Sequence, residues 1–308
     1  MTAISGAGSI KFGRAYQLSV KGQTTNHLIK FPLTCNFDIT KQLYQTNNIA
    51  IFTLYGLSKD KRQDIYFDRT TVEQVYTPVE FRAGYNGQTL DAELRDYSTL
   101  PRIFIGGTTL AYTERNGQEI MTHIEASDGG HAQAVGEVNA PIPKGASFAD
   151  IMRIGMDSLK VFGVSSGKII VTKNLPPRSK EIAVMFGKTI DQMRKYANEK
   201  IAIFILDQVM YVLGEDDILD SPAGVITINS ETGLIGTPRR YFREVNCSVV
   251  FEPRVTIGQL VKLEATLTPW VNGLYKVTGL HHHGTISGTS SGAAVTDLTM
   301  HLRDVVSK

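Results

Sequence analysis

Val225–Gly284 reads VITINSETGLIGTPRRYFREVNCSVVFEPRVTIGQLVKLEATLTPWVNGLYKVTGLHHHG, and this stretch decides the fold class. Apolar, β-branched runs are separated by Gly and Pro in a fixed order: Gly233, Gly236 and Pro238, then Pro253 and Gly258, then Asn272 and Gly273. Val225–Ile228, Val245–Phe251, Leu260–Ala265 and Tyr275–Leu280 alternate or run apolar, as strands do. Asn272-Gly273 offers the positive-φ pair that a tight hairpin turn takes. The expectation is a small antiparallel barrel or sandwich.

The rest of the 308 residues gives room for two to four domains with buried cores. Apolar residues make up 42% and charged residues 20%, an ordinary globular balance that excludes general disorder. With 32 basic and 30 acidic residues the net charge is +2, and no basic block stands out. No charge field for nucleic acid or anionic lipid results. Cys35 and Cys247 each sit in an apolar strand pattern and read as buried free thiols of a reducing compartment. The start, MTAISGAGSIKFG, lacks a charged segment leading into an apolar core, and no run reaches the roughly 18 to 20 apolar residues of a membrane span. A chain made in the cytoplasm and soluble until it assembles is expected.

Residues before 130 read as β structure. Ile10–Val20 and Leu28–Ile39 are strand-like around the polar turn Lys21–Asn26, and Val79–Tyr85 runs into Asn86-Gly87. Asn48–Leu54 is apolar on both faces, which predicts a central strand. Ser58 is placed to cap a short helix carrying Lys61, Arg62 and Ile65. Arg102–Arg115 and Gln118–Ser127, joined at Asn116-Gly117, form the strongest hairpin signal. In the middle, Ser147–Leu159 and Thr189–Lys200 have apolar residues at helical spacing, each opening on a capping box, Ser147 with Asp150 and Thr189 with Gln192. Strands follow each helix: Lys168–Thr172, then Ile201–Leu206 and Val209–Leu213 around Asp207-Gln208. These are two helix-plus-strand units in loose duplication, separated by Pro176-Pro177, with Gly214–Ala223 as the linker onward.

Certain strings resemble a known family. TGLIGTP, an F-x-P with GQLVKLE five residues on, N-G-x-Y-K-V, and L-x-H-x-G at Leu280–Gly284 resemble the C-terminal domain of phage baseplate (tail) hub proteins. Upstream, NIAIFTLYGLS before an R-x-x-I helix is similar to their N-terminal tube-like domain, with Tyr55-Gly56 where Tyr-Asn is usual. The I-F-x-G strand, the hairpin and the I-x-A-x-D-G ending at Ile124–Gly129 follow in the family's order. The resemblance implies an α+β, mostly β fold. Two tube-like β-barrel domains, residues 1–130 and 215–308, would flank a mixed helix–strand region at 131–214. It further implies a structural homotrimer at the distal end of the tail tube of a contractile tail or related injection system. Three subunits with two similar domains each make a pseudo-sixfold ring, which adapts a hexameric tube to a trimeric spike. The implied partners are other copies of the chain, the tail tube protein and the central spike protein, with tape-measure and other baseplate proteins as further contacts. The implied location is the virion baseplate, after assembly in the host cytoplasm.

Catalytic chemistry has few candidates. On a strand His281 and His283 share one face and His282 the other. Two imidazoles so placed could ligate zinc or iron if a third ligand came from elsewhere, with His301 or Glu264 as candidates. The ordinary reading is polar-face or interface histidines, and the resemblance favours it, since hub proteins carry a His near this point. No catalytic, cofactor or metal residue is therefore assigned. Asp216-Asp217 and Asp220 lack calcium-loop spacing and read as a solvated loop. Asp60, Asp64 and Asp68 alternate with Lys59, Lys61, Arg62 and Arg69, as on a salt-bridged helix face. No G-x-S-x-G, H-E-x-x-H, Walker or C-x-x-C motif is present. The Gly-rich Ser5–Ser9 precedes a strand, and SGTSSGAA at 287–294 reads as a flexible hairpin tip. Two other classes stay in view: a cell-wall (peptidoglycan) or metal-dependent hydrolase centred on the triple histidine, and a glycan-binding tail protein using the middle units. Asn48–Leu54 and Val245–Phe251 lack charged gatekeepers, so they are expected to be edges that close between subunits.

Overall fold

Half-buried strands dominate, and their side chains alternate in and out as the sequence pattern requires. The structure, a computed structural model, describes residues 11–44, 47–68, 76–86, 97–220, 223–288 and 292–302. The first region contains β1 (Arg14–Lys21), β2 (Asn26–Lys30), β3 (Cys35–Gln42), β4 (Asn48–Tyr55), the helix α1 (Lys59–Ile65), β5 (Phe67–Asp68), β6 (Thr77–Tyr85), β7 (Arg102–Asn116) and β8 (Glu119–Asp128). The middle holds α2 (Gly130–Val135), β9 (Glu137–Ile142), α3 (Phe148–Leu159), β10 (Ser165–Ile170), β11 (Ala183–Lys188), α4 (Thr189–Tyr196), β12 (Ile201–Leu206) and β13 (Val209–Gly214). The last region adds β14 (Ile226–Asn229), β15 (Leu234–Tyr241), β16 (Glu244–Val250), β17 (Leu260–Glu264), β18 (Gly273–Ile286) and β19 (Ala294–Leu302). The α+β, mostly β class is as expected. No helix among the described residues is long and apolar enough to cross a membrane.

The two flanking β regions share a single 14-stranded sheet, ordered β15-β16-β19-β18-β3-β4-β8-β7-β6-β1-β2, with β17 and β14 attached beside β18 and β5 on β7. It is not closed into the two barrels expected. The cause is the length of β18, 14 residues, which serves two partners on one side. Its first residues pair with β17, and from Gly279 to Ile286 it pairs with β3. The cores interlock in the same way. Tyr16, Phe37, Phe52, Phe81 and Phe104 form a cluster that also takes in Phe251, Ile286 and Ala294 from the last region. A second cluster around Val261, Leu263, Tyr275 and Val277 takes Leu43 from the first. Cys35 and Cys247 are free and buried, one in each cluster.

The middle region is built on a third cluster, where Ile151, Met152, Met156 and Leu159 of α3 meet Met185, Met193 and Met210. Ser147 and Asp150 form the capping box expected for α3. The two helix–strand units dock together, with β9 antiparallel to β11 and α3 packed on α4. Strand β12 is buried along its whole length. Ile201, Ile203 and Ile205 face the middle cluster, while Ala202, Phe204 and Leu206 join the core of the last region. One strand thus cements two cores.

Several expectations are corrected. Leu28–Ile39 is two strands, because Pro32 has no N–H to offer a ladder. Asn272-Gly273 is no tight turn: Asn272 has φ −67°, and residues 265–272 form a longer loop in which its side chain accepts from the Ala265 N–H. Strand β14 runs parallel to β17, since the β15–β16 hairpin intervenes before the chain returns. Thr189 does not cap α4: it is buried inside the first turn, and its hydroxyl bonds the Ser158 hydroxyl at 3.0 Å. Ser58 stands at the start of α1 without a capping side-chain bond. The hairpin at Asn116-Gly117 forms one residue on, Asn116 pairing with Glu119 around Gly117-Gln118, with φ +60° at Gly117. Strand β4 is central, as its two-sided apolar pattern predicts, so neither it nor β16 is the edge expected to close between subunits, and Ile49 and Ile51 leave the outer face of β4 half-exposed. Gly87, Ser5–Ser9 and residues 289–291 of the expected hairpin tip lie outside the described residues.

Candidate functional site

The second half of β18 carries the three histidines through the line where the first and last regions meet. Their side chains alternate as the pleat dictates. His282 points inward, is buried, and takes Nδ1 to within 2.8 Å of the Thr296 hydroxyl. Thr296 Oγ1 accepts from the Glu252 N–H at 2.9 Å, leaving its own proton for the imidazole. Phe251 meets the ring edge to face at 5.4 Å. Burial first, then the charges of Lys41, His281 and His283, push the His282 pKa down to about 3, so the ring is neutral in the fold.

His281 and His283 share the opposite face and stack, with ring centroids 4.4 Å apart. Asp297 on β19 lies opposite His281, and Asp38 on β3 lies opposite His283. The contacts run diagonally: His283 Nε2 is 3.0 Å from Asp297 Oδ2, and His281 Nε2 is 3.0 Å from Asp38 Oδ1. His281 Nδ1 lies 3.7 Å from Asp297 Oδ2. Ser248 on β16 donates to Asp297 Oδ1 at 2.5 Å. His301 and Glu264, the third ligands suggested from the sequence, are elsewhere. His301 stands opposite Lys276, and Glu264 lies in β17, beyond the Gly273 end of β18.

A second cluster fastens the middle region to the sheet. Asp207 and Gln208 form the β12–β13 turn with φ +52° and +62°, and their N–H groups donate to Asp128 at 2.6 and 2.8 Å. Lys41 pairs with Asp207 at 2.9 Å, and Asn48 donates to the Ile205 carbonyl at 2.7 Å. Burial chiefly raises the Asp128 pKa to about 6; Asp207 raises it further, while Lys41 and the two N–H bonds oppose the shift. At the far end Lys276, itself buried, donates to the carbonyls of Gly214 and Glu215. Asp217 accepts from the backbone and hydroxyl of Thr172. Asp217 is therefore buried and bound down, not solvated as expected, while Asp220 stays exposed as expected; Asp216 and Asp220 pair with Lys173 and Lys168. Asp64 likewise leaves the helix face to hold the β1–β2 turn through Thr24, Thr25 and His27. A cleft of about 530 Å³ opens between the three regions, and Lys41, Lys168 and Arg254 on its wall are each engaged by a carboxylate.

The sequence reading missed Asp128, Lys41 and Asn48 as anchors, although Asp128 stood in the I-x-A-x-D-G string. The other three partners, Asp38, Ser248 and Asp297, carried no local signal.

The overall fold is similar to that of tail proteins of known structure. The 43 kDa tail protein of prophage MuSo2 from Shewanella oneidensis superposes with a TM-score of 0.61 at 8% identity, covering 94% of this chain and 97% of that one. A tail protein from Neisseria meningitidis MC58 gives 0.59 at 11% identity, with 94% and 97% covered. The Escherichia coli c3393 protein gives 0.55 at 11% identity, covering 94% of this chain and 77% of its own. That protein is described as a type VI secretion component with structural similarity to the T4 tail proteins gp27 and gp5. At such identities the likeness is one of fold. No curated protein sequence matches. The baseplate hub gp41 family matches residues 16–287, and the chain belongs to that family. It is a structural component of a tail baseplate.

Proposed function

We propose that the protein is the hub at the distal end of a contractile tail tube, a homotrimer whose ring adapts the sixfold tube to a threefold spike. The continuous sheet carries this reading. Pairing of β3 with β18 fixes two β regions side by side in one subunit, so three subunits present six β regions in a closed ring. The Asp128 and Lys276 clamps hold the middle region rigidly against this platform, as an adapter between two rings needs. The likeness of the c3393 protein, a secretion-system component, to the tail proteins gp27 and gp5 supports a place among the proteins of a tail or injection machine. Work is done here by surfaces, and catalysis has no part in it.

Contacts between neighbours do not use β4 or β16, which are already paired on both sides. The free edges of the sheet path are β2 and β15. Strand β15 is blunted by Pro238, Arg239 and Arg240 and by a register shift after Ile235. Contacts instead use one end of the last region. There the β15–β16 turn meets Leu302, whose N–H donates to the Arg243 carbonyl, and Leu302 pairs with Tyr275 near the start of β18. Tyr241, Phe242, Leu267 and Trp270 at this end are each more than 70% exposed. Tube and spike proteins, tape-measure contacts, virion location and assembly in the host cytoplasm belong to the same proposal. Native mass spectrometry tests it: trimers are expected, and larger complexes once a spike is added. A chain that stays monomeric with its tube and spike partners sinks it.

A further inference from the structure

We propose that His281, His283 and Asp297 form a binding site for a divalent transition-metal ion, with Zn²⁺ as the type case, on the outer face of the sheet seam. Their ligating atoms lie within 4.8 Å of one another, and each residue is half-buried on a paired strand. A tetrahedral zinc site with bonds of about 2.0–2.1 Å holds its ligand atoms about 3.3 Å apart, so small rotations of these side chains suffice. The donor set, two imidazoles and one carboxylate, suits zinc, cobalt, nickel or ferrous iron over magnesium or calcium, which take oxygen.

What distinguishes the cluster from two surface histidines is the orientation of its donors by neighbours. Asp38 sits 3.0 Å from His281 Nε2. It holds the proton there and frees the Nδ1 lone pair, which faces Asp297. Ser248 donates to Asp297 Oδ1 and leaves Oδ2 toward both rings. Metal-bound imidazoles and carboxylates are oriented in this way, and loss of such a partner typically weakens binding about 10–100-fold. His281 Nδ1, His283 Nε2 and Asp297 Oδ2 would occupy one side of the ion, with remaining positions open to water or to a donor from another subunit. The ligands come from β18 and β19, so the ion would cross-link that hairpin beside the seam, and Asp38 on β3 reaches it only through His281. Neither His301 nor Glu264 takes part.

The test uses tag-free, chelator-treated full chain titrated with Zn²⁺ by calorimetry and with Co²⁺ by its visible absorption. One equivalent is expected, with d–d bands of a four- or five-coordinate Co²⁺ site. His283→Gln and Asp297→Asn should weaken Zn²⁺ at least tenfold. Asp38→Asn and Ser248→Ala, which touch no metal, should weaken it severalfold to tenfold while the far-UV circular dichroism stays unchanged. The residues are half-exposed, so these variants are expected to fold. Binding no stronger than in the His281→Ala/His283→Ala double variant would overturn the proposal. So would full-strength binding in Asp38→Asn and Ser248→Ala together, because the donors would then be unoriented surface groups.

Discussion

His282 and Asp128 are two buried titratable groups whose charge states the fold dictates, and they pull stability in opposite directions with pH. An unfolded histidine titrates near 6.5, whereas folded His282 does so at about 3. Between those values the unfolded chain binds a proton that the fold refuses, so stability falls as pH drops, by up to about 1.4 kcal/mol per pH unit. Asp128 has its pKa raised from 3.8 to about 6. The fold then holds a proton that the unfolded chain has already lost, and stability falls as pH rises through that window. From about pH 4 to 6 the slopes offset each other. His282→Gln should remove the first and expose the second. Urea unfolding across pH 4 to 7 should then show stability rising toward acid over this window, and a slope equal to that of the unaltered chain would refute the assignment. Asp128→Ala should cost about 2 kcal/mol, because two N–H groups of the β12–β13 turn lose their acceptor. Hydrogen exchange localises the effect: the amides of Asp207 and Gln208 should lose protection first.

At the scale of elements, local chemistry was legible and pairing was not. The Ser147 box and, to within one residue, the β7–β8 hairpin were legible because each is settled within four residues. Thr189 with Gln192 has the same local pattern, yet tertiary packing diverts the hydroxyl to Ser158. Asn272-Gly273 carried the same turn dipeptide as Asn116-Gly117, but the short 3₁₀ turn at Pro269–Val271 reshapes the connection. Pro32 marked a break that the run of apolar residues concealed. The histidine face followed from the period of a strand. Its partners could not, since 243 residues separate His281 from Asp38 and only the register of β3 on β18 brings them together. The continuous sheet was hidden for the same reason: each β region looked complete by itself. Truncating β18 after Thr278, before the residues that pair with β3, should therefore harm more than its own hairpin. Opening the β3 edge should lower the unfolding midpoint of the first region as well, as followed by proteolysis.

At the scale of the whole molecule, the end of the last region presents an apolar surface that its own packing leaves open. Phe242 is 81% exposed in a strained positive-φ turn, and Trp270 is 71% exposed on the neighbouring loop. Large aromatic residues in such positions serve as anchors in interfaces. Phe242→Ser with Trp270→Ser should change the stability of the isolated subunit by less than about 1 kcal/mol. The same variant should abolish higher complexes with tube or spike proteins in native mass spectrometry. Unimpaired assembly would move the interface elsewhere. The pairing of β3 with β18 has a further consequence for synthesis on the ribosome. Strand β3 emerges early and finds β4 and β8, but its other edge waits until β18 has been translated. Throughout that interval a nascent hub displays an unsatisfied strand, the kind of template on which chains in neighbouring polysomes join. The joint that unifies the finished subunit is thus its point of greatest exposure before birth, and the seam closes only when the last strands leave the exit tunnel.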